Sequence, residues 1–303
     1  MDDTLIIGGS HAYSLYPIKK LYNNIKFAIT EGLTLYGTLK KKDLIFNLID
    51  SKYKNITIFK NVIIIVGYTD INSALLYLKY NKDKDWIKKT LLKSIHNFSK
   101  FIDIFRNKYP NKKIYLCNPI LNPYINKKDI STYKLYQSIL VNYLKNSNII
   151  ERKSIINKNL FLEYKNNTNF FKKTCAKYNI NHDIINKIIE ERKTYIPFFQ
   201  RKIKSFSQKN NIVFLNLNPY LSKIKYKKCT SLWSDIDTRY YYDHHYIYEL
   251  FTMCLLFTIK KHVYINPNIL KKLYHEYKIF SQRKKNKVKN KNNKICNMKY
   301  IIN

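Results

Sequence analysis

The sequence predicts an α/β protein, a three-layer α/β/α sandwich around a central parallel sheet. Three observations predict it. Short unalternating apolar runs recur along the chain, each stopped by Gly or by Pro, as strands buried on both faces require. Segments of helical periodicity lie between those runs, so strands alternate with helices. The 303 residues are 45% apolar and 25% charged, which suits a globular chain able to bury a full core.

The elements follow in order. Leu5-Ile6-Ile7, stopped by Gly8-Gly9-Ser10, reads as the first strand and its tight turn. Asn61–Val66 followed by Gly67 repeats that grammar. Lys113–Cys117, stopped by Asn118-Pro119, is a third strand, and Ile212–Leu215 is a fourth. Ile87, Leu91, Ile95, Phe98, Ile102, Phe105 and Tyr109 step by three and four, which predicts an amphipathic helix ended by Pro110. Tyr133–Leu144 reads as a second helix. His182–Lys193 reads as a third, broken or kinked at Pro197. Ile247–Lys260 is apolar all round, which predicts a buried helix. Residues 150–210 hold more helix than a minimal sandwich needs and read as a helical insertion. The main domain is expected over 1–265, with a basic C-terminal extension over 266–303. From Arg283 to Lys294 there are seven cations and no acid, so the tail from about 282 is expected to be solvated and disordered.

Charge and cysteine usage narrow the function classes. Lys plus Arg is 56 against 20 for Asp plus Glu, a net charge of +36. Alone, that balance points to an anionic partner. Only six of the cations are Arg, however, and the fifty Lys come with abundant Asn, Ile and Tyr. Nucleic-acid sites recruit Arg for its planar fork. The lysines fit AT-rich coding, as in some large DNA viruses or protists, and nucleic acid is expected to bind only through non-specific lysine contacts. Five cysteines, at 117, 175, 229, 254 and 296, share no CxxC spacing, which disfavours a disulfide framework and a four-Cys zinc site. The N-terminus is acidic where a signal peptide is basic, and no apolar run approaches a membrane span. An intracellular, cytoplasmic protein is expected.

The chemistry is expected at the carboxyl ends of the strands, where open α/β sheets bind ligands. The chain has five glycines, at 8, 9, 32, 37 and 67, where an average chain of this length carries roughly twenty. Glycines that survive such a bias mark places where the backbone needs them. Gly8, Gly9 and Gly67 all follow strands. Beside them stand Ser10 and His11, then Thr69, Asp70 and Asn72. Before the last helix stands Tyr242-Asp243-His244-His245. A hydroxyl, an imidazole and a carboxylate are the parts of a nucleophilic triad, in which a base activates the nucleophile and an acid orients the base.

This order of blocks resembles the SGNH/GDSL hydrolases, a superfamily of esterases, lipases and acetyl-group hydrolases with a flavodoxin-like sandwich. Ile6-Ile7-Gly8-Gly9-Ser10-His11 is similar to its first block, with Gly9 where Asp is usual. Gly37, in Leu35-Tyr36-Gly37-Thr38, falls where the lone oxyanion glycine of the second block can lie. Gly67-Tyr68-Thr69-Asp70 fits the looser form of the third block, with Thr69 where the family has an oxyanion Asn. Asp243-His244-His245 is one residue shorter than the family's Asp-x-x-His. The likeness spans residue 4 to about 262 and omits the insertion and the tail.

The resemblance implies a serine esterase or deacylase acting on an ester such as an acylated carbohydrate or lipid. Ser10 would be the nucleophile, His245 its base and Asp243 the orienting acid. His244 is the alternative base, with Asp235 or Asp237 to orient it. Ser10, Gly37 and Thr69 would form the oxyanion hole, and Gly9, Gly67 and Asp70 would shape the site. No metal and no organic cofactor is expected. Each residue also has a structural reading. Ser10 and Asp70 are both residues that cap helices. Adjacent histidines diverge, and no third ligand stands at a metal-binding spacing from His244 and His245. The departures at residues 9, 69 and 243 leave room for an inactive binding protein on the same fold.

Overall fold

Five parallel strands form one sheet in the order β2-β1-β3-β4-β5. They are β1 (Thr4–Gly8), β2 (Ile25–Ile29), β3 (Asn61–Ile65), β4 (Lys113–Cys117) and β5 (Val213–Leu215). The computed structural model describes residues 3–9, 12, 15, 18, 22, 24–30, 32–52, 59–67, 70–71, 84–118, 176, 182–217, 248–262 and 267–275. The helices are α1 (Leu35–Lys40), α2 (Lys42–Lys52), α3 (Lys84–Lys108), α4 (His182–Lys209) and α5 (Tyr248–Ile259), with a further helical stretch over 267–275. The protein is therefore an α/β protein with an all-parallel sheet. No helix among the described residues is long and apolar enough to cross a membrane.

The sheet is apolar on both faces because the strand interiors are apolar at successive positions, with polar residues confined to strand starts and to the edge strand β2. Leu5, Ile7, Val62, Ile64, Ile114 and Leu116 enter one core cluster with residues of α1, α2, α3 and α4. The alternate residues Ile6, Phe27, Ile63, Ile65, Tyr115 and Cys117 enter the other, with Cys254, Leu255, Leu256 and Ile259 of α5. This is the period of two of a pleated strand, with both faces covered. Leu273 is fully buried in the second cluster, so the start of the segment read as a C-terminal extension packs on the core.

Strand β2 escaped the sequence reading. It is an edge strand, and Lys26 is exposed in the middle of Ile-Lys-Phe-Ala-Ile. An edge strand tolerates such a charge, which also guards its unpaired backbone. The charge breaks the unalternating run that identified the other four.

Helix α4 overturns one of the two readings at Pro197, the break. The helix is not broken there but runs on to Lys209 with Pro197 inside. An interior proline costs about 3 kcal/mol through its lost hydrogen bond and its clash. Tyr195, Ile196, Phe199 and Ile203 are buried around and beyond it. Each buried large apolar side chain contributes roughly 1.5–3 kcal/mol, enough together to hold the helix through the proline. The latter half of the segment read as an insertion is thus part of the core and leads directly into β5. The helix expected over Tyr133–Leu144, the segment from 150 to 175 and the tail beyond 275 lie outside the described residues.

The chain's shortage of glycine shows in its turns. Asn111 and Asn211 stand at φ 60° and 48° in the turns that lead into β4 and β5. Asparagine is among the few residues that tolerate this left-handed conformation, and here it serves where glycine is usual. Arg106 of α3 donates to the carbonyl of Asn210 at 2.6 Å and so ties α3 to the second of those turns.

Candidate functional site at the carboxyl edge of the sheet

Strand β1 lies between β2 and β3, so the connection out of β1 runs to β2 on one side while the connection out of β3 runs to β4 on the other. In doubly wound sheets this reversal opens a crevice at the carboxyl ends of the strands. Gly8 closes β1 there, in register with Ile29 of β2 and Ile65 of β3. A Cβ on Gly8 would stand 2.8 Å from the Cβ of Ala12 and 3.0 Å from the carbonyl oxygen of Ile65. Glycine at this position lets the chain turn against the neighbouring strand. The turn is held by Thr30 N–H donating to Gly8 and Ala12 N–H donating to Gly9, both at 2.9 Å.

Gly9 presses on the backbone of Leu33. A Cβ there would meet both Leu33 N and Leu33 O at 3.2 Å. That contact gives a physical reason for glycine at residue 9, because any side chain there would need Leu33 to move. Ser10 and His11 follow immediately but lie outside the described residues.

Gly67 stands two residues beyond β3 with φ 105°, a conformation that strains any residue carrying a Cβ. Tyr68, Thr69 and Asn72 lie outside the described residues. Asp70 is described, and it is buried. Its carboxylate accepts from Leu35 N–H at 2.8 Å and Tyr36 N–H at 2.9 Å. Asp70 therefore caps α1, a helix more than thirty residues upstream, and binds the third glycine-marked turn to the second block. Burial pushes its carboxyl above the usual range, and the two amides and Ser94 pull the other way.

Gly37 sits in the first turn of α1. Its N–H donates to the N-cap hydroxyl of Thr34 at 2.7 Å. A Cβ on Gly37 would stand 2.9 Å from that hydroxyl, so glycine lets the cap close. The amide expected in an oxyanion hole is engaged inside the helix. The first three free donors of α1 are thus all satisfied, two by Asp70 and one by Thr34.

The histidine pair His244 and His245 lies outside the described residues, as do Asp235, Asp237, Asp243 and Tyr240–Tyr242. The edge thus brings together Gly8, Gly9, Gly67 and Asp70 from the expected set. Among the described residues no cluster of three or more His, Cys, Asp or Glu could hold a metal ion. One residue that the sequence reading used only as a strand stop also stands here. Asn118 directly follows β4, is 2% exposed, and packs its carboxamide against Gly67. Its signal in the sequence was only its position, one residue beyond an apolar run.

Comparison with family models, with curated proteins and with solved structures gives no match. The functional reading therefore stands on the residues and their geometry.

Proposed function

We propose that the chain is a serine esterase or deacylase of SGNH type. The observation that carries the reading is the placement of two glycine-marked turns at one edge. Gly8-Gly9 leads to Ser10 at the end of β1, and Gly67 leads to Thr69 and Asp70 beyond the neighbouring β3. A nucleophile on the first turn would stand at the switch of strand order, where such sheets bind ligands. The reading takes the two covered faces as the outer layers of a flavodoxin-like three-layer sandwich. It places a helical insertion ahead of the buried part of α4.

The proposed reaction is a double displacement. His245 takes the proton of Ser10 Oγ as that oxygen attacks the ester carbonyl. The tetrahedral intermediate collapses, and the same imidazole returns the proton to the departing alcohol. Water, activated in turn by His245, releases the acid from the serinyl ester. Asp243 orients His245. If His244 is the base, Asp235 or Asp237 takes that part. The Ser10 amide is one donor to the oxyanion. The Gly37 amide joins it only on leaving Thr34. The substrate is an ester such as an acylated carbohydrate or lipid, and the proposed place of action is the cytoplasm of a cell or of a virus-infected host.

A fluorophosphonate probe tests this directly. Wild-type protein is expected to be labelled, and labelling is expected to vanish in Ser10→Ala and in His245→Ala. Equal labelling of wild type and Ser10→Ala would overturn the proposal. One observation favours a second reading, an inactive SGNH-fold binding protein. The Gly37 amide is held by Thr34 rather than turned to a ligand. A folded wild type that takes no probe and releases nothing from a short-chain p-nitrophenyl ester is the outcome expected of that reading.

A further inference from the structure

Asn118 leaves a whole carboxamide dry. Its Nδ2 and Oδ1 are both buried, and neither has a hydrogen-bond partner among the described residues. Buried polar groups in folded proteins are normally paired, and a bare carboxamide forgoes two donors and an acceptor. Asp70, buried at the same edge, meets two amides of α1. The difference is one of purpose, since Asp70 joins two blocks of the fold and Asn118 joins none.

The surrounding backbone makes room for this carboxamide. A Cβ on Gly67 would stand 2.8, 3.1 and 3.2 Å from Nδ2, Cγ and Oδ1 of Asn118. Any larger residue at 67 would displace the amide, and the positive φ of Gly67 adds a second demand for glycine. The pair sits just past the last β3–β4 contact, the Val66 N–H donating to the Cys117 carbonyl at 3.3 Å. A second buried polar atom of this edge, the Thr30 hydroxyl at the end of β2, also has no partner among the described residues. Two orphaned groups just past different strands, one of them a whole carboxamide, stand at the end where parallel sheets take ligands, against the single Asn61 Nδ2 among the described residues at the opposite end.

We propose that the Asn118 carboxamide is directed at the ligand and donates its Nδ2–H to the acyl oxygen of the bound ester. This rests on the esterase reading and supplies what that reading lacks. Thr69 stands where the resembled hydrolases carry an Asn, and the Gly37 amide is engaged by Thr34. A carboxamide from the adjacent strand end, resting on the glycine of the same block, offers the missing donor. It stabilises charge that grows on that oxygen, so its effect falls on the chemical step rather than on binding.

Two variants of the full chain test it, Asn118→Leu and Asn118→Asp, each with a short-chain p-nitrophenyl ester and a thermal melt. The leucine variant removes an unpaired polar group without opening a cavity, so its Tm is expected to rise by roughly 2–6 °C. Its kcat is expected to fall about a hundredfold with KM little changed. Asn118→Asp keeps the size and loses the donor, and the same fall in kcat is expected. A lower Tm for Asn118→Leu would show a carboxamide that holds the fold and would overturn the proposal. So would a kcat equal to wild type in both variants. A wild type that takes no fluorophosphonate fails the serine reading instead. The melt then decides alone, a rise supporting a ligand-directed carboxamide and a fall overturning it.

Discussion

At the amino edge of the sheet, Asp50 accepts from Lys108 Nζ at 2.7 Å and from the Tyr109 hydroxyl at 2.8 Å. At the carboxyl edge, Asp70 is buried against two helix amides, and Asn118 has no partner among the described residues. The amino edge is also dense with rings. Phe46, Phe59, Phe101, Phe105 and Tyr109 pack at centroid distances from 4.9 to 6.3 Å. Lysines lie over those rings, with Lys108 Nζ 4.9 Å from Phe46 and Lys112 Nζ 4.8 Å from Phe59. Asn61 Nδ2 is the unpaired side-chain atom at that end among the described residues. The carboxyl edge carries the positive-φ Gly67, the tight Gly8-Gly9 turn and the bare Asn118 instead. The amino edge meets its carboxylate with its own side chains and its left-handed turns with asparagine, at Asn111 and Asn211. The carboxyl edge instead leaves a whole carboxamide unpaired against a positive-φ glycine, an arrangement that proteins retain where a site requires it.

The comparison can be broken most sharply at Gly67. Gly67→Ala puts a Cβ into the Asn118 carboxamide at a positive φ and is expected to cost about 2–4 kcal/mol, read from urea unfolding. A loss below that of an ordinary surface substitution would show that the carboxyl edge is not strained. The next effect belongs to the other edge. Tyr109→Phe keeps the ring in its aromatic cluster and removes one hydrogen bond to a carboxylate, for an expected loss of about 1 kcal/mol. An unchanged midpoint would show that this network does not stabilise the fold.

The smallest effect separates the edges by sign. The Lys108 hydrogen bond, with that of Tyr109, holds Asp50 below its ordinary 3.8 against a smaller opposing effect of burial. Its contribution is then present above pH 3.8 and is lost as pH falls through the lowered folded value. Burial holds Asp70 above 3.8. The unfolded chain releases that proton first, so stability falls as pH rises from 3.8 through the raised folded value. Melts against pH for Asp50→Asn and Asp70→Asn, each subtracted from wild type, are expected to slope in opposite directions. Parallel slopes would mean that the two carboxylates share one environment.

Much of the fold was legible because the sheet is buried on both faces. Strands β1, β3, β4 and β5 announce themselves as apolar runs, and the stripe of α3 recurs at helical spacing. The exposed Lys26 hid β2, because an edge strand need not be apolar throughout. Pro197 read as a break or a kink because local propensity says so, and the helix continues through it. The burial of Tyr195, Ile196, Phe199 and Ile203, which outweighs that propensity, is a long-range effect. At the candidate site, the rare glycines Gly8, Gly9 and Gly67 were legible as strand-end turns, and they do close or follow β1 and β3. Asp70 read as a helix cap, and the helix that it caps lies far upstream. No local pattern announces a carboxylate that reaches back to Leu35 and Tyr36. Asn118 read as punctuation, since an orphaned carboxamide is visible only once its surroundings are packed.

By itself the amino-acid order determined the alternation of strand and helix, the parallel sheet and the edge at which its rare glycines gather. Those follow from periodicity and backbone freedom, which are properties of neighbouring residues. Tertiary structure alone decided the strand order, the engagement of the Gly37 amide by its helix cap, and the pairing of Asp70 beside an unpaired Asn118. Those depend on which groups packing has removed from water together, and contacts between segments tens of residues apart set that.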